Sequence, residues 1–225
     1  MKKIIILSVL FISLLACKNN KEIKEVKTIK PLETAKNIDY AVFGMNSEYL
    51  PKGLKVGSLA PQITMTTDEN EIVKLKDFYK NQPLVIIFYR GYWCPVCNKH
   101  LSEFAVRAKE IENRGAKLIA ISSESYENVD KTRDKTNANF TIISDIDGSI
   151  MKAFDVNYNV TNEYQKMILE KLNASIAKTN ATNNAVLPVP ATYIINTNGK
   201  IVYKQFNPNY KVRASIEDIL NNLPK

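Results

Sequence analysis

The chain holds 225 residues, 45% of them hydrophobic and 24% charged, with a formal net charge of +8. That is the size of one ordinary globular domain with something added at an end. The positive charge forms no basic stripe interleaved with aromatics and no recognised motif, so nucleic-acid binding is set aside. Three cysteines are too few for the disulfide framework of a small secreted scaffold.

Met1, Lys2 and Lys3 make a short basic start, and Ile4 to Leu15 is an almost unbroken apolar run. Leu14-Leu15-Ala16-Cys17 closes it with a small residue before a cysteine. A basic start, a short apolar stretch and a small-residue cleavage site predict a secretory signal over residues 1–16, too short for a stable membrane span. The closing tetrapeptide resembles a bacterial lipobox. That would make Cys17 the lipidated first residue of a mature protein, held on a cell-envelope membrane and facing an extracytoplasmic compartment. An uncleaved anchor, or an ordinary signal with a chance cysteine, is the alternative. Residues 17–50 are polar and weakly periodic, a tether with one weak helix around Asn37 to Phe43. Its basic residues Lys18, Lys21, Lys24, Lys27 and Lys30 are diluted by Glu22 and Glu25.

Pro51-Lys52-Gly53 opens the folded domain, predicted to run over residues 51–225. Ile63 to Met65 and Glu71 to Leu75 suit short strands around the polar turn Thr67-Asp68-Glu69-Asn70. Leu84 to Tyr89 is a continuous apolar run rich in β-branched residues, the pattern of a central strand buried on both faces. Helical periodicity follows Cys94-Pro95 through Leu101, Phe104, Ala105, Ala108 and Ile111 and stops near Gly115. Lys117 to Ser122 is a second buried strand, so the order predicts a βαβ unit with parallel strands. A helix over 126–137, a strand over 140–144, a short helix over 149–154 and an amphipathic helix over 163–178 come next. Thr192 to Asn196 and Ile201 to Phe206 pair as a hairpin around Thr197-Asn198-Gly199, and a helix over 215–223 ends the chain. The alternation predicts an α/β three-layer sandwich, a mixed central β-sheet flanked by helices. The 156–187 segment receives no role.

Cys94-Pro95-Val96-Cys97 sits where a buried strand hands over to a helix. A thiol in the first helical turn meets unsatisfied N–H groups and the helix dipole, which favour the reactive thiolate. Pro95 fits the first helical position, where its missing N–H would have had no partner. A zinc site would need more ligands than Cys94, Cys97 and the single histidine His100. A c-type haem attachment would need histidine where Asn98 stands. A structural disulfide across so short a loop would remove little chain entropy. Redox work by the pair is the favoured chemistry, with no cofactor and no metal expected. Pro190 precedes the strand Thr192 to Asn196, a position where its missing donor is tolerated. Val189–Pro190 is predicted to be cis and to pack over the two sulfurs.

Phe88-Tyr-Arg-Gly-Tyr-Trp-Cys-Pro-Val-Cys97 resembles the Phe-Tyr-Arg-Gly-x-Trp-Cys-Pro-Tyr-Cys signature of peroxiredoxin-like proteins. These belong to the alkyl hydroperoxide reductase/thiol-specific antioxidant family within the thioredoxin superfamily. Val56-Gly-Ser-Leu-Ala-Pro61, Ile143-Ser-Asp-Ile-Asp-Gly148, Leu187-Pro-Val-Pro-Ala-Thr-Tyr193 and Asn207-Pro-Asn-Tyr-Lys-Val-Arg213 are similar to further family segments, in order. The resemblance implies a thioredoxin-like fold and a thiol-dependent antioxidant activity, the reduction of hydroperoxides at the expense of a thioredoxin-like donor. It lays Cys97 on the peroxidatic cysteine, Cys94 on a threonine, Arg90 on a proline and Pro190 on an arginine. Three of four peroxidase positions are therefore replaced. The replacements resemble thioredoxin instead, with Trp93 before the cysteine pair, Pro190 facing it and Cys94 as the attacking thiol. Thiol–disulfide exchange with a protein disulfide is the alternative activity. Arg90 either supplies positive charge to the thiolate or stands exposed at a strand end.

Overall fold

The structure, a computed structural model, describes residues 38–67 and 71–224. The predicted signal, Cys17 and all but the end of the tether lie outside the described residues, as do Asp68, Glu69 and Asn70 of the first turn. The folded unit begins at Asp39 rather than Pro51. Tyr40–Phe43 form a single 3-10 turn where a weak helix was expected. Met45 beyond it is buried and bridges Val160. Packing, not periodicity, recruits this stretch to the domain.

The core element is β3 (Leu84–Phe88), all five residues 0% exposed. It lies in a five-stranded sheet of order β5-β4-β3-β8-β9, with β4 (Lys117–Ser122), β5 (Thr141–Ser144), β8 (Ala191–Ile195) and β9 (Ile201–Phe206). The β3–β4 and β4–β5 pairs are parallel, and the β3–β8 and β8–β9 pairs antiparallel, so the sheet is mixed. Alternation along β3 sends Val85 and Ile87 to one apolar layer and Leu84, Ile86 and Phe88 to the other. Each such side chain, fully buried, contributes about 1.5–3 kcal/mol.

Helices α2 (Pro95–Asn113), α3 (Tyr126–Thr136) and α7 (Ile216–Asn222) contribute Leu101, Phe104, Val129, Ile216 and Ile219 to the first layer. Helices α1 (Leu75–Tyr79) and α4 (Ser149–Ala153) contribute Leu75, Phe78, Ile150 and Met151 to the second. This is the three-layer α/β arrangement that the alternation of elements predicts. The ribbon β1 (Thr64–Thr66) and β2 (Ile72–Lys74) precedes α1.

Two departures lie in the 156–187 segment. The expected helix over 163–178 is two helices, α5 (Asn162–Leu172) and α6 (Ile176–Thr179). Asn173 takes a left-handed conformation (φ 50) and Ser175 caps the second helix by accepting from the Lys178 N–H. Short polar side chains compete with the helical backbone in this way. The segment is bracketed by a two-stranded ribbon, β6 (Asn157–Asn159) and β7 (Val186–Pro188). Asn-Tyr-Asn and Val-Leu-Pro, rich in residues that strands disfavour, gave no strand signal in advance. The ribbon returns the chain to β8 and seats α5 beside the sheet's first layer, where Tyr164 and Ile168 are buried.

Candidate active site

Residues 89–94 leave the C-terminal end of β3 and turn sharply into α2. Gly91 makes the turn possible. Its φ is +152, and a Cβ there would stand 2.5 Å from Glu124 Oε1 and 2.6 Å from Trp93 Nε1. Cys94 then caps α2, its Sγ accepting the Cys97 N–H at 3.3 Å. Helical spacing returns Cys97 to the same side, and the free thiols lie with Sγ atoms 2.6 Å apart. Both cysteines are fully buried.

Each sulfur has its own arginine. Arg90 donates through Nη2 to Cys94 Sγ at 3.0 Å and through Nη1 to Tyr164 Oη at 2.7 Å. Its guanidinium lies 3.6 Å over the Tyr210 ring and 5.2 Å from the Trp93 ring. Arg213 donates through Nη2 to Cys97 Sγ at 3.3 Å and is steadied by its Nε bond to Tyr210 O at 2.6 Å. Arg90 is 2% exposed, so it is not the exposed strand-end side chain that its place in the sequence also allowed.

Burying a cation costs several kcal/mol unless a negative charge stands near it. Among the described residues no carboxylate pairs with Arg90, so the sulfurs must supply that charge. Burial pushes the Cys94 thiol well above its ordinary value; its bond to Cys97 adds to this, and Arg90 offsets it only in part. Burial acts upward on Cys97 as well. There the hydrogen bond from Cys94 and the charges of Arg213 and Arg90 win, holding the Cys97 thiol well below its ordinary value. Arg90 and the Cys97 N–H would favour charge on Cys94 by position alone. One proton is shared across the 2.6 Å sulfur contact, because two like charges this close cannot both persist, and Arg213 together with Arg90 favours the charge on Cys97.

His100 lies one turn after Cys97 and is buried, with Nε2 2.9 Å from Ala214 O and its ring against Phe104. Burial lowers its pKa, leaving a neutral imidazole that belongs to the packing. Trp93 is buried beside Arg90. Pro190 is buried immediately before Ala191, which pairs with Phe88, so it stands at the end of β3 from which the cysteine loop departs. Its peptide bond is not cis, contrary to expectation: the described residues contain no cis peptide. The chain runs extended from β7 into β8, with the Val189 N–H held by Val156 O at 2.7 Å. No tight reversal is present there to select the other isomer.

The sequence-predicted residues Arg90, Trp93, Cys94 and Cys97 thus gather in one cluster, with Pro190 at the strand end beside it. Arg213, Tyr164, Tyr210 and Glu124 were not anticipated as members. Arg213 and Tyr210 sit in the family-like segment 207–213, and a need for one cation per sulfur could have singled out Arg213. Tyr164 looked like one more apolar position of an amphipathic helix.

The comparisons with known proteins agree on the fold. Reduced Prx3 of Vibrio vulnificus, solved in complex with hydrogen peroxide, superposes with a TM-score of 0.60 at 15% identity, covering 75% of this chain and 97% of that one. A peroxiredoxin-like protein from Aquifex aeolicus gives 0.57 at 20% identity, over 76% and 86%. In sequence, peroxiredoxin Bcp of Bacillus subtilis is 30% identical over 103 residues, 46% of this chain and 65% of that protein. The chain thus spans a little under two-thirds of that relative's length. Chloroplastic peroxiredoxin Q of Oryza sativa subsp. japonica is 25% identical over 170 residues, 74% of this chain and 67% of that one. The AhpC/TSA family model matches residues 56–204, a span that takes in β3, the cysteine pair and β8, and the chain belongs to the AhpC/TSA family.

Proposed function

We propose that this protein is a thiol-dependent hydroperoxide reductase in which Cys97 attacks the peroxide and Cys94 resolves it. The carrying observation is the geometry at Cys97, whose sulfur accepts from Arg213 Nη2 at 3.3 Å and lies 2.6 Å from the Cys94 sulfur. The Cys97 thiolate attacks the distal peroxide oxygen, the O–O bond breaks, and the alkoxide leaves as the alcohol after taking a proton from solvent. Arg213 and Arg90 provide fixed positive charge where oxygen charge develops, the role of a preorganised electrostatic site. Cys97 becomes a sulfenic acid. The Cys94 thiol then displaces the sulfenic oxygen, which leaves as water carrying the proton that Cys94 gives up, and the disulfide closes. A dithiol donor of thioredoxin type then returns two electrons by exchange.

One feature favours the alternative, thiol–disulfide exchange through Cys94: its helix-cap position with two donors on its sulfur. The single cysteine variants separate the two. Under the peroxidase mechanism, Cys94→Ser consumes one equivalent of peroxide and leaves sulfenic acid on Cys97, and Cys97→Ser falls to background. Background peroxide consumption by Cys94→Ser, with mixed disulfides trapped through Cys94 in Cys97→Ser, would give the activity to exchange instead.

The same proposal places the protein on an extracytoplasmic membrane surface of a bacterial cell envelope through lipid on Cys17, supported by Leu14-Leu15-Ala16-Cys17 after the apolar run. Stable anchoring requires more than one acyl chain. Cys17→Ala should move the protein out of the membrane fraction. A variant that stays bound and uncleaved would show a plain signal anchor.

A further inference from the structure

Glu124 stands just beyond β4, 0% exposed, and no ion pair reaches it among the described residues. Its two carboxyl oxygens both lie 3.0 Å from the Tyr92 N–H, in the middle of the loop that carries Trp93 and Cys94. Gly91 leaves out its side chain where Glu124 approaches that loop. From α3, Thr132 Oγ1 touches Glu124 Oε2 at 3.4 Å and the Tyr89 hydroxyl at 3.4 Å, which places Tyr89 of the β3 end in the same polar cluster. On β5, Ser144 Oγ holds the Glu124 carbonyl at 2.5 Å. The acid is thus fastened from every side except by a cation. A surface carboxylate needs no such housing, and a buried one that stayed ionised beside a thiolate would be costly.

We propose that Glu124 is a positioning residue of the redox site that grips the Tyr92 amide and exchanges a proton with each turnover of the cysteine pair, so that the buried site keeps one negative charge in both redox states. This rests on the dithiol–disulfide cycle above. In the disulfide state Glu124 carries the charge and holds the Tyr92 N–H as a carboxylate. A dithiol donor then breaks the Cys94–Cys97 bond and becomes a disulfide, passing over two electrons and two protons. One proton resides on Cys94 and the other on Glu124, and the charge moves to the Cys97 thiolate between Arg90 and Arg213. Atoms, electrons and charge balance with no ion entering the site.

The electrostatics run in the same direction. Burial raises the Glu124 pKa well above its ordinary value, the Tyr92 N–H opposes this, and the Cys97 charge raises it further. Thr132 and the more distant Lys131 of α3 act downward. Tyr89, raised well above its ordinary value chiefly by burial, stays neutral and adds no charge. Removing the Cys97 thiolate by oxidation removes one of the forces keeping Glu124 protonated.

The test is the pH dependence of the Cys94–Cys97 couple in the full chain, equilibrated with dithiothreitol redox buffers above the Cys97 thiol range. The wild-type potential should follow about two protons per two electrons, and Glu124→Gln should lose roughly half that slope. Glutamine keeps an acceptor for the Tyr92 N–H, so a merely structural role predicts no change of slope. Infrared difference spectra should show a protonated carboxyl band appearing on reduction in the wild type, absent in Glu124→Gln and restored in Glu124→Asp. An unchanged slope in Glu124→Gln, or a wild type without the band, overturns the inference while leaving the redox cycle standing. No reversible disulfide in the wild type overturns both.

Discussion

The two sides of β3 hold different kinds of interior. On one, Leu84, Ile86 and Phe88 meet Phe154, Tyr193, Ile150 and Leu75 in a layer whose cohesion is apolar area and ring contact, with Phe88 5.1 Å from Phe154 and 6.2 Å from Tyr193. On the other, Val85 and Ile87 begin as ordinary core. Within two residues of the strand's end that layer has taken in an arginine, and beyond the turn two thiols and a carboxylic acid. The first side lowers free energy by excluding water. The second gives up part of that gain to hold charge in a dry place. The contrast implies that stability and reactivity can be changed separately.

The largest effect expected from breaking this contrast is on the apolar side. Phe88→Ala should cost about 3–5 kcal/mol of stability, by lost burial and the cavity left behind. The Cys97 thiolate should persist unchanged in the fraction that remains folded. Denaturant unfolding, combined with the thiolate ultraviolet absorbance of the folded protein, checks both halves. A large shift in thiol titration would show that the two sides are not independent.

On the polar side, Arg213→Gln removes the donor to Cys97 and should slow peroxide reaction on the order of a hundredfold, roughly 2.7 kcal/mol of barrier. Global stability should change little by comparison. The variant also tests the pH behaviour. Because the Cys97 pKa is depressed in the fold, the unfolded chain binds more protons at Cys97 than the folded one does between that depressed range and the ordinary thiol range. The Cys97 contribution to the stability of the reduced protein therefore rises with pH across that window and is lost as pH falls through the folded value, while Glu124, raised in the fold, contributes in the opposite sense. Oxidation or Cys97→Ser should abolish this contribution, and Arg213→Gln should narrow its window from below. Identical titrations in Arg213→Gln and wild type would remove Arg213 from the site.

Much of this was legible beforehand wherever local pattern and burial agree. β3 and β4 are continuous β-branched runs, α2 shows an apolar stripe after Cys94-Pro95, and the last hairpin has its Asn-Gly turn. Legibility failed where polar residues decide. Asn173 and Ser175 divide a helix that apolar spacing alone would continue. Residues 39–50 looked like tether because their few apolar side chains find partners, such as Val160 for Met45, only across the fold.

The sequence alone placed the cysteine pair at a strand-to-helix turn and carried the family, because these depend on neighbours within a few residues of one another. Only the tertiary structure gave the two sulfurs different electrostatic surroundings. Cys94 and Cys97 are equivalent candidates along the chain. Their electrostatic difference comes from Arg213, 116 positions from Cys97, and from the support that Tyr164, 74 positions away, gives to Arg90. Electrostatic energy depends on distance and burial, and both of these are properties of the packed chain.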